Sequence, residues 1–180
     1  MKTTRNKGFT LIETIVYLAI FAIIMTGTIS SVYAIFSSSA RNQTKALTQE
    51  EGSFLLAKID WALTGTQTIN QPNDGNPSTV DYGNTLSVTK FDSSAGNPIV
   101  IAVTGGVMTI SRAGNPAVVL NNTNTTITCP VSPEDCFKHT SASGDGINPE
   151  GLTAKFRIHA TTSDGLPFSQ DFTTVKYLRR

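Results

Sequence analysis

The sequence Lys7-Gly8-Phe9-Thr10-Leu11-Ile12-Glu13 opens the apolar run that decides the fold of this chain. From Thr14 to Phe36 no residue is charged, and Leu, Ile, Val, Phe, Ala and Met dominate. The run is long enough to cross the core of a bilayer, which takes about 20 apolar residues in a helix. The sequence therefore predicts a helix that spans a membrane.

Glu13 lies just inside the start of this run, where a carboxylate is costly. Placing a charge in hydrocarbon costs roughly 2.5–3.5 kcal/mol even on lenient insertion scales, so the carboxylate needs a partner. Cleavage between Gly8 and Phe9 would supply one. The new α-amine of Phe9 on a neighbouring copy could pair with Glu13 and neutralise it.

These residues resemble the N-terminal signature of the type IV filament superfamily, which comprises type IV pilins and the pseudopilins of type II secretion. The signature is a short basic leader that ends in Gly, then Phe-Thr-Leu-Ile-Glu, then an apolar helix. Residues 1–8 form such a leader with three basic side chains, and the match from Gly8 to Glu13 is complete. Beyond the first third of the chain the resemblance is one of architecture alone.

The resemblance implies cleavage by a prepilin peptidase after Gly8, methylation of the Phe9 amine, and assembly through Glu13 into a filament core. The implied partners are other pilin or pseudopilin subunits, an assembly-platform membrane protein and, before assembly, membrane lipid. The implied role is structural rather than enzymatic, with a minor pilin that primes assembly or caps the tip as first choice. A pseudopilin, a DNA-uptake subunit and a major pilus subunit are alternatives.

Two simpler interpretations of the apolar run compete with this one. A plain transmembrane anchor, such as that of an adhesin or binding protein that never polymerises, requires neither Glu13 nor the Gly8–Phe9 junction. A secretory signal peptide could be cut after Ser38-Ser39-Ala40. However, the apolar core of a signal peptide has about 7–15 residues, which is shorter than this run.

The basic leader also predicts the topology, because Lys and Arg stay on the cytoplasmic side of a membrane. We expect a single pass through the cytoplasmic membrane with the C-terminal domain outside, and later a place in a cell-surface pilus or periplasmic pseudopilus. The formal net charge of the whole chain is only +1. That balance disfavours a nucleic-acid partner, since nucleic-acid binders usually carry a basic face.

The helix is predicted to continue beyond the membrane as an amphipathic segment. Apolar residues recur at three- and four-residue steps, which places them on one helical face: Leu47, Phe54, Leu55, Ile59, Ala62 and Leu63. Gly65 is the predicted stop. The expected organisation is a leader at 1–8, a membrane-spanning and filament-core half-helix at 9–36, an amphipathic half at 37–64, and a β-rich extracytoplasmic region at 65–180.

Short alternating segments separated by turn residues fill the rest of the chain. Leu152–Thr161 alternates apolar and polar residues most regularly, and Gly105-Gly106 indicates a two-residue hairpin turn. We predict a small meander of about five to seven antiparallel strands, laid on the amphipathic half of the helix. The fold class is therefore α+β, with one helix and one sheet around a single core.

Cys129 and Cys136 are the two cysteines of the chain. Outside the cytoplasm such a pair predicts one disulfide, and closing this loop would contribute roughly 2.5 kcal/mol in the chain-entropy model. A metal pair or a redox pair is the alternative. Their spacing is not that of a two-cysteine redox motif, and only His139 is near them in the sequence.

One loop offers candidate ligands for calcium, although no other cofactor is indicated. Asp145, Asn148 and Glu150 carry oxygen ligands of the kind that Ca²⁺ prefers. Their spacing does not match the EF-hand loop, and a solvated turn is the alternative. No set of Ser, His and Asp can be assigned as catalytic from spacing, because such sets are recognised by geometry.

Overall fold

A computed structural model describes residues 10–73, 80–92, 94, 96–130, 135–142 and 149–178. The chain divides into two compact units, Met1–Asn42 and Gln43–Arg180. One helix, α1, runs from Leu11 to Leu63 and contributes residues to both units. The leader, the Gly8–Phe9 junction and the calcium candidates Asp145 and Asn148 lie outside the described residues.

In the first unit, α1 is long and apolar enough to cross a membrane, and its most apolar stretch is not buried by any other part of the protein. Its large apolar side chains are exposed, including Ile23 at 73% and Phe36 at 70%. Short hydroxyl side chains in this segment bond to their own helix. Thr26 Oγ1, for example, donates to a main-chain carbonyl one turn earlier at 2.8 Å. Such bonds satisfy a hydroxyl group without water.

In the second unit, one face of α1 is buried, and it comprises Thr48, Gly52, Leu55, Ile59, Ala62 and Leu63. The predicted amphipathic stripe is therefore right for its last four residues and wrong for Leu47 and Phe54, which are 66% and 44% exposed. Thr48 and Gly52 take their places. The reason is packing: small residues at these positions let the sheet approach the helix closely.

The helix ends where the sequence predicts. Leu63 is its last residue, and Gly65 follows with φ at +70°. This left-handed conformation closes helices because it costs glycine little. The chain then enters the first strand directly.

Ten strands follow in the described residues: β1 Thr66–Gln71, β2 Val80–Gly83, β3 Thr85–Lys90, β4 Ile99–Thr104, β5 Val107–Arg112, β6 Val118–Val119, β7 Thr125–Thr128, β8 Phe137–Thr140, β9 Gly151–Thr161 and β10 Pro167–Tyr177. They form two five-stranded sheets. The first has the order β1-β3-β4-β5-β6, and the second has the order β10-β9-β8-β2 with β7 also paired to β9. All of these pairs are antiparallel.

The α+β class is confirmed, with a long N-terminal helix and antiparallel sheets. The single meander of five to seven strands is wrong in number and in arrangement. Strand β2 does not belong to the same sheet as its sequence neighbours β1 and β3. It pairs with β8 instead, and Asp81 lies opposite His139. Local alternation along the sequence cannot reveal such a distant pairing, and β2 and β8 are each only four residues long.

The core lies between the buried face of α1 and both sheets. Phe156 on β9 and Phe172 on β10 stack with ring centroids 5.6 Å apart. The Phe172 ring lies against Gly52, where an added Cβ would come closer than 3.0 Å. Gly52 is therefore the point at which β10 meets the helix without a side chain between them.

Polar contacts also fix the helix to the sheets in this unit. Glu51 Oε1 accepts hydrogen bonds from Asn122 N and Thr125 Oγ1, both at 2.7 Å. Lys176 Nζ forms an ion pair with Asp60 Oδ1 at 2.6 Å. These contacts tie the turn before β7 and the end of β10 to the same helix.

Two basic side chains lie over the Trp61 ring near the end of α1. Lys90 Nζ lies 4.0 Å from the centre of the Trp61 ring and Arg112 Cζ lies 4.4 Å from it. Lys90 Nζ also donates to the Trp61 carbonyl oxygen at 2.6 Å. Burial, and secondarily the nearby Arg112, lowers the pKa of Lys90. Cation–π contacts of this kind join the helix end to strands β3 and β5.

Candidate functional site

The first turn of α1 is capped by the side chain of Thr10. Thr10 precedes the helix, and its Oγ1 accepts a hydrogen bond from the Glu13 N–H at 3.4 Å. A Thr before the helix and a Glu three positions later are the residues that satisfy the free N–H groups of a helix start. A negative charge in the first turn is also favoured by the helix dipole. Glu13 thus has a local role that the sequence analysis missed, although the Thr10–Glu13 spacing could have indicated it.

Glu13 also has a side-chain partner one turn further along. The Tyr17 hydroxyl donates to Glu13 Oε1 at 3.2 Å. Residues four apart lie on the same face of a helix, so this contact requires no bend in α1. The sequence analysis named no partner for Glu13 within its own chain.

The surroundings of this carboxylate are apolar and exposed. Leu11 is 80% exposed, Ile12 69% and Ile15 54%. Glu13 is thus a carboxylate among exposed apolar side chains, on a helix surface that must be covered by lipid or by other apolar chains. Inside a membrane such a group is a functional candidate by default, because its burial is costly.

The comparison with protein families identifies this region. Residues 3–29 match the family described as the prokaryotic N-terminal methylation motif. The match is confined to this N-terminal segment, and it supports a type IV pilin-like or pseudopilin-like protein. No curated protein and no solved structure matches it.

For a pilin-like protein, the motif implies processing by a prepilin peptidase and association with other pilin subunits in general. The motif and the exposed apolar helix together support membrane anchoring. The Gly8–Phe9 junction, at which cleavage and methylation are predicted, lies outside the described residues. Cleavage at Gly8, methylation of Phe9 and pairing with Glu13 therefore stay predictions.

The two cysteines of the chain are joined by a disulfide, with the Cα atoms of Cys129 and Cys136 4.6 Å apart. The Cys136 N–H donates to Asn84 Oδ1 at 3.0 Å. Cys129 follows β7 and Cys136 precedes β8, so the bridge holds together two strands that both pair with β9. Its place is structural, and Cys136 belongs to the buried core.

Of the three calcium candidates, only Glu150 is described, and it does not lie in a solvated turn. It is 6% exposed, and its Oε1 lies 3.1 Å from His139 Nε2. Among the residues the structure describes, no group of three or more His, Cys, Asp or Glu side chains is arranged to hold a metal ion. A calcium site at Asp145, Asn148 and Glu150 remains a prediction.

His139 joins a buried cluster that sequence reasoning missed. Its Nε2 contacts Glu150, and its Nδ1 lies 3.8 Å from Asp81 Oδ2. The His139 side chain is only 3% exposed, and of the two contacts only the one between Nε2 and Glu150 is a hydrogen bond. No sequence signal could reveal the cluster, because it depends on the pairing of β2 with β8. The arrangement holds strands together and presents neither ring nitrogen to a substrate.

The second histidine, His159, lies on the outer face of β9 and is half-buried. Its Nε2 is 2.8 Å from Thr128 Oγ1 on the neighbouring strand. In the sheet register, the residues opposite His159 are Thr126 on β7 and Ser169 on β10. It therefore adds a cross-strand contact to the sheet.

Proposed function

We propose that this protein is a structural subunit of a type IV filament, inserted in the cytoplasmic membrane, cleaved after Gly8 and polymerised through its N-terminal helix. One observation carries the proposal: Glu13 is a lone carboxylate on an exposed apolar helix that starts within a prepilin-type methylation motif. A plain anchor does not need a charge at that position. A filament subunit needs one, because the Glu13 carboxylate pairs with the Phe9 amine of a neighbour.

The assembly step is a transfer from lipid to protein. In the membrane, the exposed side chains of α1 up to Phe36 are covered by acyl chains. In the filament, the same side chains pack against other helices, and the Phe9 ammonium of an adjacent subunit neutralises Glu13. Because either charge alone is costly in apolar surroundings and each neutralises the other, the pair favours one helix register over others.

Within this class we propose a minor subunit that primes assembly or occupies the tip. The support is the loose resemblance of the hairpin-rich domain to larger minor subunits. The measurement is the amount of this protein in sheared filaments relative to the most abundant subunit. A small fraction supports a minor role, and equal amounts would identify a major subunit instead.

We further propose that the protein is not an enzyme. The buried His139 supports this, because both of its ring nitrogens face carboxylates of its own chain. An imidazole so enclosed cannot serve as a general base for an external substrate without opening the sheet. The proposed chemistry is confined to processing of the N-terminus by another protein.

The proposal is tested by changing Glu13 and measuring the ratio of filament-bound to membrane-bound protein. Glu13→Gln is the sharpest variant, since Gln also serves in a capping box and the helix start survives while the charge is lost. We expect Glu13→Gln and Glu13→Ala both to lose efficient incorporation. The matched control is Glu50→Ala, on an exposed position of the same helix. Normal incorporation of Glu13→Ala would favour a non-polymerising anchor.

A further inference from the structure

Tyr17 differs from the other hydroxyl-bearing residues that neighbour it on α1. The hydroxyl groups of Thr14, Thr26 and Thr28 each donate to a main-chain carbonyl four residues earlier. The phenol oxygen of a tyrosine stands too far from the backbone for that bond. The Tyr17 hydroxyl instead donates a hydrogen bond to the carboxylate of Glu13, at 3.2 Å.

This single hydrogen bond satisfies two polar groups of a helix in lipid at once. It satisfies a phenol O–H and one carboxylate oxygen, neither of which has water available in hydrocarbon. The bond lies along one helix face, so it forms within a single subunit before any neighbour arrives.

We infer that Tyr17 is a positioning residue for filament assembly. Its hydroxyl holds Glu13 Oε1 against the helix, which turns Oε2 toward an incoming ammonium group on a second copy or a partner subunit. The inference rests on the proposed function, because it assigns Tyr17 to the same step as Glu13. Tyr17 acts only through Glu13.

The key variant is Tyr17→Phe, which removes one oxygen atom and keeps the ring. The control is Tyr33→Phe, a matched change at a tyrosine that is 73% exposed on the same helix. Tagged variants are co-expressed with the wild-type protein in cells that build the filament. Incorporation is measured as the ratio of tagged protein in sheared filaments to tagged protein in membranes.

We expect Tyr17→Phe to lower incorporation by roughly fivefold to tenfold, the scale of one ordinary intramolecular hydrogen bond, and Tyr33→Phe to leave it unchanged. Removal of the leader should be unaffected in both variants. In a Glu13→Ala background, where residual incorporation is still measured, Tyr17→Phe should add no further loss.

A second readout does not depend on assembly. In protein reconstituted into lipid vesicles with isotope-labelled glutamate, the infrared band of Glu13 is identified as the carboxyl band that is lost in Glu13→Gln. This band should shift in Tyr17→Phe and stay fixed in Tyr33→Phe. A simple packing role for the Tyr17 ring would not move that band.

The results separate the two proposals. If Glu13→Ala loses incorporation while Tyr17→Phe assembles normally and the infrared band stays fixed, the positioning role of Tyr17 is wrong and the filament function stands. An equal loss from Tyr17→Phe with and without Glu13 would also overturn the positioning role. If Glu13→Ala assembles normally, the proposed filament mechanism and the role of Tyr17 both fail.

Discussion

Replacing Gly52 by alanine tests how the helix meets the sheet, because two known effects oppose each other at this position. Helix propensity alone predicts a gain in stability, since glycine inside a helix costs roughly 0.5–1 kcal/mol relative to alanine. Packing predicts a loss of stability. An added Cβ would lie closer than 3.0 Å to three atoms of the Phe172 ring.

The ring has little room to move away. Phe172 is 5% exposed, and its ring is stacked on Phe156. Overpacking a well-filled core costs typically 1–3 kcal/mol, and this overlap belongs at the upper end of that range. After subtracting the gain in helix propensity, we expect Gly52→Ala to lower the free energy of unfolding by about 2 kcal/mol. For a unit of this size that is a decrease in Tm of about 4–8 °C.

The assay is urea and thermal unfolding of the full chain in detergent micelles, followed by the fluorescence of Trp61. This is the single tryptophan of the chain, and it contacts Lys90 at the edge of the core, so its emission reports on this unit. The control is Ser53→Ala on the exposed side of the same turn, which should be neutral or slightly stabilising. Adding Phe172→Leu should restore part of the stability that Gly52→Ala removes. A Gly52→Ala protein that is about 1 kcal/mol more stable than wild type would show that propensity outweighs packing and would refute this reasoning.

Three further predictions concern the second sheet. His139→Leu should lower the free energy of unfolding by about 1–3 kcal/mol, because the buried Glu150 carboxylate loses its hydrogen-bond partner; an unchanged urea midpoint would contradict this role. Replacing Cys129 and Cys136 together by serine should cost roughly 2.5 kcal/mol in the same assay, and reduction of the wild-type protein should reproduce the loss. The hydrogen bond from Arg157 lowers the pKa of Asp171 below its usual 3.8. That pair should therefore stabilise the protein fully above this pH and lose its contribution as the pH falls through the lowered pKa, so the Tm difference between wild type and Asp171→Asn should shrink in acid.

The helix and the long hairpins could be predicted because their signals are local. An uncharged apolar run gives α1, and regular alternation gives β9, which runs from Gly151 where the sequence indicated Leu152. The Gly105-Gly106 turn also appears as predicted, with φ values of 59° and 83° that match a tight hairpin. In each case residues close together in the sequence determine the element.

The two-sheet arrangement could not be predicted, because its signals are distant in sequence. β1, Thr66–Gln71, consists mostly of polar residues and so lacks the alternation of a half-buried strand. β2 finds its partner in β8, and only that pairing brings Asp81 to His139. The buried cluster at His139 follows from topology and not from any motif.

At the N-terminal site, the sequence identified Glu13 because a lone charge in an apolar run is conspicuous. It did not identify the two residues that contact Glu13, although both lie within one turn of it. Thr10 caps the helix and Tyr17 donates to the carboxylate. Thr10 lies three residues before Glu13 and Tyr17 four residues after it. These spacings indicate contacts with Glu13 once the start of the helix is known.

The central claim is tested most directly by the mass of the N-terminal peptide of this protein from sheared filaments. The account predicts a chain that starts at Phe9 and carries one methyl group on its amine. In cells that lack the prepilin peptidase, the protein should stay in the membrane and start at Met1. A start at Met1 in cells that contain an active peptidase, or a start at Arg41 as after signal-peptide cleavage, would contradict the account.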